Sequence, residues 1–298
     1  MLRKLSLLSL FLLTGFLVTQ ARAADSTIDR DVVYGTVGDM KLLADVYSPA
    51  EKSDAPRPVV LLIHGGGWRG GNKQAGTVVA IGKMLAKQGY VAVSINYRLV
   101  KDGADGQIEN QWPAAIDDCR QAVRWIRENA EKLNVDPTKI GAAGDSAGGH
   151  LVSLLGTTDA AKPGEPSTRV QAVVNIYGPG DLTKDWTKYE ISANLAVQEM
   201  IDRFLKKGNE ENQIAASPTL HVDAQSANFL ILQGGKDQLV PPSQTEALHE
   251  ALKKAGRQSE FVLYENDGHG FGPATGLQAL MKAMTFFERE LKGESAAK

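Results

Sequence analysis

Three side chains in the order serine, acid, histidine have the types and spacing that could do chemistry in this chain. Gly144-Asp145-Ser146-Ala147-Gly148 has the form glycine-x-serine-x-glycine. Lys139–Ala143 before it reads as a brief strand, and Ala147–Leu155 after it reads as a helix. Ser146 therefore falls on a strand-to-helix turn, the setting of a nucleophile elbow. Side chains two residues either side of the serine would collide with neighbouring backbone, which explains glycine at both places. A serine hydroxyl is a weak nucleophile at neutral pH and needs a base, which in turn needs an orienting carboxylate. The helix that follows aims its N-terminal N–H groups at the place where an oxyanion would form.

Of five histidines, His269 has the placement of a base. It lies in Asn266-Asp267-Gly268-His269-Gly270-Phe271, after the last strand, with glycines on both sides. His150 comes one turn after Ser146 on the same helix and reads as a packed structural residue. His249 falls on the polar flank of a helix and reads as solvated. His64 ends a central strand, and His221 lies upstream of the best acid. That acid is Asp237 in Gly234-Gly235-Lys236-Asp237, directly after the strand Phe229–Gln233. Asp267 is too close in sequence to reach the far side of His269, and Asp223 precedes its strand. The order Ser146, Asp237, His269 is that of the α/β-hydrolases and not of the trypsin-like proteases, although GDSAGG superficially resembles their serine motif.

A second constellation is His64-Gly65-Gly66-Gly67-Trp68, following the apolar run Pro58–His64. Backbone N–H groups of such a loop can approach a developing negative oxygen closely. A phosphate loop is disfavoured, because Gly70-Gly71-Asn72-Lys73 lacks the required ending. A dinucleotide fingerprint is disfavoured by Asn96-Tyr97-Arg98, which puts no acid after the next strand.

The elements that must hold these residues alternate. Asp31–Thr36 and Lys41–Tyr47 read as an antiparallel hairpin. Strands are expected at Pro58–His64, Tyr90–Asn96, Lys139–Ala143, Val170–Tyr177, Phe229–Gln233 and Glu260–Tyr264. Helices are expected at Val78–Lys87, Pro113–Leu133, Ala147–Leu155, Ser243–Ala255 and Leu277–Leu291. This rhythm predicts an α/β fold: a mostly parallel central sheet with an antiparallel N-terminal edge and helices on both faces. Pro179–Ser217 interrupts it as a small insertion over the sheet's C-terminal edge, containing the amphipathic Leu195–Lys206.

The chain has 298 residues, 43% hydrophobic and 23% charged, which suits one α/β domain over residues 24–298. Thirty-three basic and 35 acidic residues give a net charge of −2, with no electrostatic footprint for nucleic acid. A lone cysteine, Cys119, excludes an internal disulfide and a cysteine metal cage, and it reads as a packed thiol. Residues 1–23 have the charged, apolar and small-residue order of a signal peptide, ending Ala21-Arg22-Ala23. The expectation is export to a periplasm or the medium, with no stable membrane anchor after cleavage.

HGGGWRGG, SINYRL, DDCRQAVRWIRENAEKLNVDPTKI, GDSAGGH, GGKDQLVP and GHGF together resemble the α/β-hydrolase superfamily. More narrowly, they resemble its HGGG-type esterases, the hormone-sensitive-lipase-like carboxylesterases and secreted carbohydrate esterases. The resemblance spans nearly all of Val32–Leu291. It implies Ser146 as nucleophile, His269 as general base and acid, and Asp237 as its orienting partner. It implies an oxyanion hole from the backbone N–H groups of Gly66, Gly67 and Ala147, and no metal or organic cofactor. Many members carry a large cap, so the modest insertion implies an open site for small acyl groups, or for acyl groups displayed on a polymer.

The expected activity is that of a secreted serine carboxylesterase on short-chain acyl esters, small-molecule or polysaccharide-linked, such as acetyl or feruloyl groups. Trp68, Trp112 and Trp186 are candidates for a sugar- or aryl-facing platform, although packing in the core or under the insertion is the commoner fate of each. A lipase would need a wide apolar lid, for which Leu195–Leu205 is short. A peptidase of this fold usually carries an extra domain. A binding module would usually show a substituted member among the three catalytic positions.

Overall fold

The computed structural model describes residues 26–293, so the leader at residues 1–23 lies outside the described residues. The elements follow in chain order as β1 (Ser26–Val37), β2 (Met40–Pro49), β3 (Arg57–Ile63), α1 (Gly76–Lys87), β4 (Val91–Ile95), β5 (Lys101–Asp102) and β6 (Ile108–Glu109). They continue with α2 (Ala114–Glu128), α3 (Ala130–Leu133), β7 (Val135–Asp145), α4 (Ala147–Thr157), β8 (Ala172–Ile176), α5 (Asn194–Leu205) and α6 (Glu210–Ala215). The last are β9 (Asn228–Gly234), α7 (Pro242–Lys254), β10 (Ser259–Tyr264) and α8 (Pro273–Phe287), closed by a π-turn at Glu288–Lys292.

Eight strands form one sheet in the order β1-β2-β4-β3-β7-β8-β9-β10. The hairpin β1–β2 makes the expected antiparallel edge, joined antiparallel to β4. Every other pairing in that sheet is parallel. Alternation along β3 explains the two-sided burial. Val59, Leu61 and Ile63 pack with Ile116, Val123, Leu151 and Leu248 from α2, α4 and α7. Val60 and Leu62 pack with Val78, Leu85, Ala283 and Phe287 from α1 and α8 on the opposite face. Cys119 is fully buried in the first of these cores, and burial pushes its thiol pKa well above the usual range.

Two elements differ from the sequence expectation. The long helix Pro113–Leu133 is two, because Asn129 leaves helical geometry (φ −107°, ψ 20°) and its side-chain amide donates to the Trp125 carbonyl at 2.9 Å. An asparagine side chain that satisfies the local backbone competes with helix continuation. The short pair β5–β6 was not legible, since two-residue strands carry no periodicity. It is tied to α5 by an ion pair between Asp102 and Arg203.

The SINYRL segment is anchored electrostatically. The Arg98 guanidinium donates to Asp118 through Nε at 3.0 Å and Nη2 at 2.7 Å, and the Arg98 backbone N–H donates to the same carboxylate at 2.7 Å. The Asp118 side chain is nearly buried, at 2% exposure. Removing it takes away the counter-ion of Arg98, which keeps only the Ala114 carbonyl at 3.2 Å, and leaves the Arg98 backbone N–H without this acceptor. Asp118→Ala is expected to cost about 2–3 kcal/mol, measured as the shift in urea unfolding. A change below about 0.5 kcal/mol would show the anchor to be dispensable.

Candidate active site

The β7–α4 turn projects Ser146 from the C-terminal end of the sheet. Ser146 has φ 52° and ψ −119°, a left-handed conformation rare for a residue with a side chain. Hydrogen bonds hold it there: its N–H donates to the Ile176 carbonyl at 2.8 Å, and its own carbonyl accepts from His150 N–H at 3.0 Å. A Cβ on Gly148 would overlap the Ile63 carbonyl oxygen, and one on Gly144 would lie 2.5 Å from the backbone of Gly148. The flanking glycines thus follow from the turn's closeness to β3.

Asp237 is buried just after β9, and both of its carboxylate oxygens are engaged. Its Oδ1 accepts from the N–H groups of Leu239 at 2.8 Å and Val240 at 2.9 Å. Its Oδ2 accepts from Gln233 Nε2 at 3.3 Å and meets His269 Nδ1 at 2.8 Å. Gln233 is itself fixed, donating to the Val240 carbonyl at 3.1 Å and accepting from Thr245 Oγ1 at 3.1 Å. The carboxylate can only accept, so the proton lies on His269 Nδ1 and the lone pair on Nε2. The loop carrying His269 is shaped by Asp267, which accepts from Gly272 N–H and Thr275 Oγ1, both at 2.8 Å. Asp267 therefore builds the loop, and Asp237 meets the imidazole.

Ser146 and His269 line one cavity of about 460 Å³, together with Gly66, Gly67 and Ala147. Gly66 has φ 117°, and a Cβ there would overlap the Gly70 carbonyl, so this loop is closed to larger residues. Of the nine residues proposed from sequence, seven line this cavity and Asp237 supports it through His269, whereas Trp112 does not line it. Trp186 is fully buried and Trp68 is 3% exposed, both as walls of the cavity. Trp112 is half-buried, with its ring edge on Phe204. Trp68 and Trp186 are thus packed and also face the cavity, whereas Trp112 packs beside Phe204.

Trp68 also locks the glycine loop. Its indole stacks on Phe204 of α5 at 4.4 Å with planes 3° apart, and its Nε1 donates to His150 Nδ1 at 3.2 Å. His150 Nε2 in turn donates to the Ala216 carbonyl at 2.6 Å. His150 is thus the packed structural residue expected. His249 is not the solvated residue expected: it is half-buried, bonded to Ser259 Oγ at 2.8 Å and tilted over Phe261 at 5.6 Å. His64 is buried and stacked on Tyr97 at 4.4 Å, and His221 Nε2 donates to the Ile214 carbonyl at 3.0 Å. Neither lines the cavity.

Three contributors were not legible. The insertion supplies Val197, Met200 and Ile201 as an apolar wall on one side of the site. Tyr177, at φ 42°, packs its ring on His269 at 4.4 Å. Asp145 accepts from Gly65 N–H at 3.2 Å, tying the glycine loop to the serine turn. Burial raises the Asp145 carboxyl pKa, against the lowering effects of the Gly65 hydrogen bond and the nearby His269. Asp145 is the x of the serine motif, and the motif itself was the available signal.

The BD-FAE family matches residues 44–252. The chain belongs to this family. Curated relatives from Mycobacterium tuberculosis include the probable carboxylic ester hydrolase LipM, 32% identical over 78% of this chain and 54% of its own length. Esterase LipC is 32% identical over 81% of this chain and 59% of its own length. The chain thus spans somewhat over half the length of these relatives. Among solved structures, esterase 2 of Thermogutta terrifontis with propionate bound superposes with TM-score 0.72 at 27% identity, covering 93% of this chain and 97% of that one. A truncated carbohydrate esterase from gut microbiota superposes with TM-score 0.73 at 28% identity, covering 91% and 99%. The fold is that of the α/β-hydrolases, with the mostly parallel sheet and antiparallel edge that the sequence led us to expect.

The lock on Trp68 has a pH signature. Burial lowers the His150 pKa to about 4, against 6.5 for the ordinary imidazole. A base whose folded pKa is depressed is protonated more readily in the unfolded chain. Its penalty is absent above pH 6.5 and grows as pH falls toward 4. Stability is expected to fall by about 3 kcal/mol through this window on account of His150. Urea unfolding of the wild type and His150→Gln should show a flatter acid limb in the variant. Parallel limbs would count against the assignment.

Proposed function

We propose that this chain is a serine carboxylesterase that hydrolyses short-chain acyl esters through an acyl-serine intermediate. The observation that carries the reading is the Asp237–His269 contact at 2.8 Å in a cavity that also holds Ser146 and the Gly66–Gly67 loop. In this reading His269 Nε2 takes the Ser146 proton as Oγ attacks the ester carbonyl, and Asp237 supports the imidazolium so formed. The N–H groups of Gly66, Gly67 and Ala147 receive the developing oxyanion. Return of the proton to the leaving alcohol gives the acyl-serine, and water activated by His269 then releases the acid.

Short acyl groups are favoured by the walls. Trp68, Trp186, Val197 and Ile201 close one side of a cavity of about 460 Å³. A secreted enzyme acting on acetyl or feruloyl groups of plant polysaccharide is the second reading. The similarity to a carbohydrate esterase at TM-score 0.73 favours it, and the apolar leader at residues 1–23 supports export.

Hydrolysis of p-nitrophenyl esters from acetate to palmitate tests the proposal. Activity should peak between acetate and butyrate. Ser146→Ala should lower kcat by about 10⁴-fold or more, and Asp237→Asn by about 10⁴-fold through the wrong histidine tautomer. A peak at palmitate would turn the reading to a lipase. Activity surviving in Ser146→Ala would sink the mechanism.

A further inference from the structure

We propose that a second apolar cavity, between α1 and α8, is the subsite for the alcohol half of the ester and selects esters of apolar alcohols. The proposal rests on the esterase reading and names its substrate class.

The cavity has a volume of about 300 Å³, within the range of small-molecule sites. Ala80 and Ile81 of α1 form one wall, and Phe271, Leu277 and Leu280 of the histidine loop and α8 form the other. Thr77, Tyr177 and Gly270 line both this cavity and the one holding Ser146, so the two adjoin at these residues. Leu277 is 58% exposed and marks the opening to solvent.

The chemistry sets which half of the ester goes where. When the tetrahedral intermediate collapses, the bond from the carbonyl carbon to the alcohol oxygen breaks. The His269 imidazolium gives its proton to that oxygen, while the acyl carbon stays bonded to Ser146 Oγ. The alcohol oxygen must therefore lie on the histidine side of the serine. Gly270 follows His269 directly, and the Tyr177 ring packs on it at 4.4 Å; both residues line the second cavity. The acyl half faces the other way, toward Trp68, Trp186, Val197 and Ile201, none of which lines the second cavity.

The lining sets the class of alcohol. It contains no charged and no amide side chain, and its only hydroxyls are those of Thr77 and Tyr177. Burial raises the Tyr177 pKa, so its phenol stays neutral and adds no charge. An alkyl or aryl alcohol would be buried among matching surfaces, whereas the hydroxyls of a sugar ring would find only the Thr77 and Tyr177 hydroxyls as side-chain partners. Tyr177 (φ 42°) and Phe271 (φ 36°) both hold left-handed backbone at this cavity, and such conformations in residues with side chains cluster at ligand sites.

The test compares kcat/KM for ethyl acetate, 4-phenylbutyl acetate and ethyl octanoate in the wild type, Ala80→Trp and Leu280→Ala. The two acetates share an acyl group and have alcohols of similar reactivity. Filling the groove with Ala80→Trp should lower 4-phenylbutyl acetate hydrolysis by about tenfold or more and ethyl acetate by less than about twofold. Leu280→Ala removes a wall without crowding, and should lower the same substrate by several-fold if the first variant does not fold. An equal loss on both acetates, or a loss confined to ethyl octanoate, would overturn the assignment to the alcohol half. Absence of wild-type turnover on all three esters would instead overturn the esterase reading itself, and the subsite with it.

Discussion

The turn between β7 and α4 runs so close to the end of β3 that neither Gly144 nor Gly148 has room for a side chain. That contact fixes where Ser146 stands and forces its backbone into a left-handed conformation. The strain persists because the parallel ladders of β3, β7 and β8 leave the turn nowhere else to go. The hydrogen bond from Ser146 N–H to Ile176 then brings β8, and with it Tyr177, alongside the serine. Asp145, one residue earlier, holds the Gly65 N–H and so ties the β3 loop to the same turn. Three adjacent strands thus deliver their C-terminal ends to one place, the usual location of ligands in open α/β sheets.

The second organising contact is aromatic. Trp68 ends the glycine loop and is held between Phe204 of the insertion and His150 of the serine helix. The insertion is therefore not an appendage. It clamps the loop whose Gly66 and Gly67 line the cavity, and it supplies Val197, Met200 and Ile201 as wall. His150 can play its part only when neutral, accepting at Nδ1 and donating at Nε2, and burial keeps it so.

The electrostatic frame is similarly layered. Asp237 is held by two backbone N–H groups and by Gln233, which is fixed by Thr245 of α7. A carboxylate with this many donors needs no further neutralisation and presents one oxygen to the imidazole. Asp267, in the same loop as the histidine, spends its oxygens on Gly272 and Thr275 instead. The two acids are near in space, and the division of labour between them follows from which one lies behind the ring.

Placement after a strand, sequence distance from His269 and flanking glycines singled out Asp237 and His269, because a parallel sheet puts successive strand ends on one edge and the loops after them carry the chemistry. The glycines at 66, 144 and 148 were likewise legible, since each marks a close backbone approach. Hydrophobic runs located the sheet strands and most helices, and missed the break at Asn129, where one side-chain hydrogen bond outweighs periodicity. The sequence by itself thus determined the fold class and the residues that could do chemistry, for strand order and turn geometry are written in local patterns. Only the tertiary structure decided that Trp68 and Trp186 are walls, that the insertion lines one side of the pocket, and that α1 and α8 flank a second cavity beside Gly270. Those features arise from contacts between segments far apart in the chain, and no local spacing encodes how two such surfaces meet.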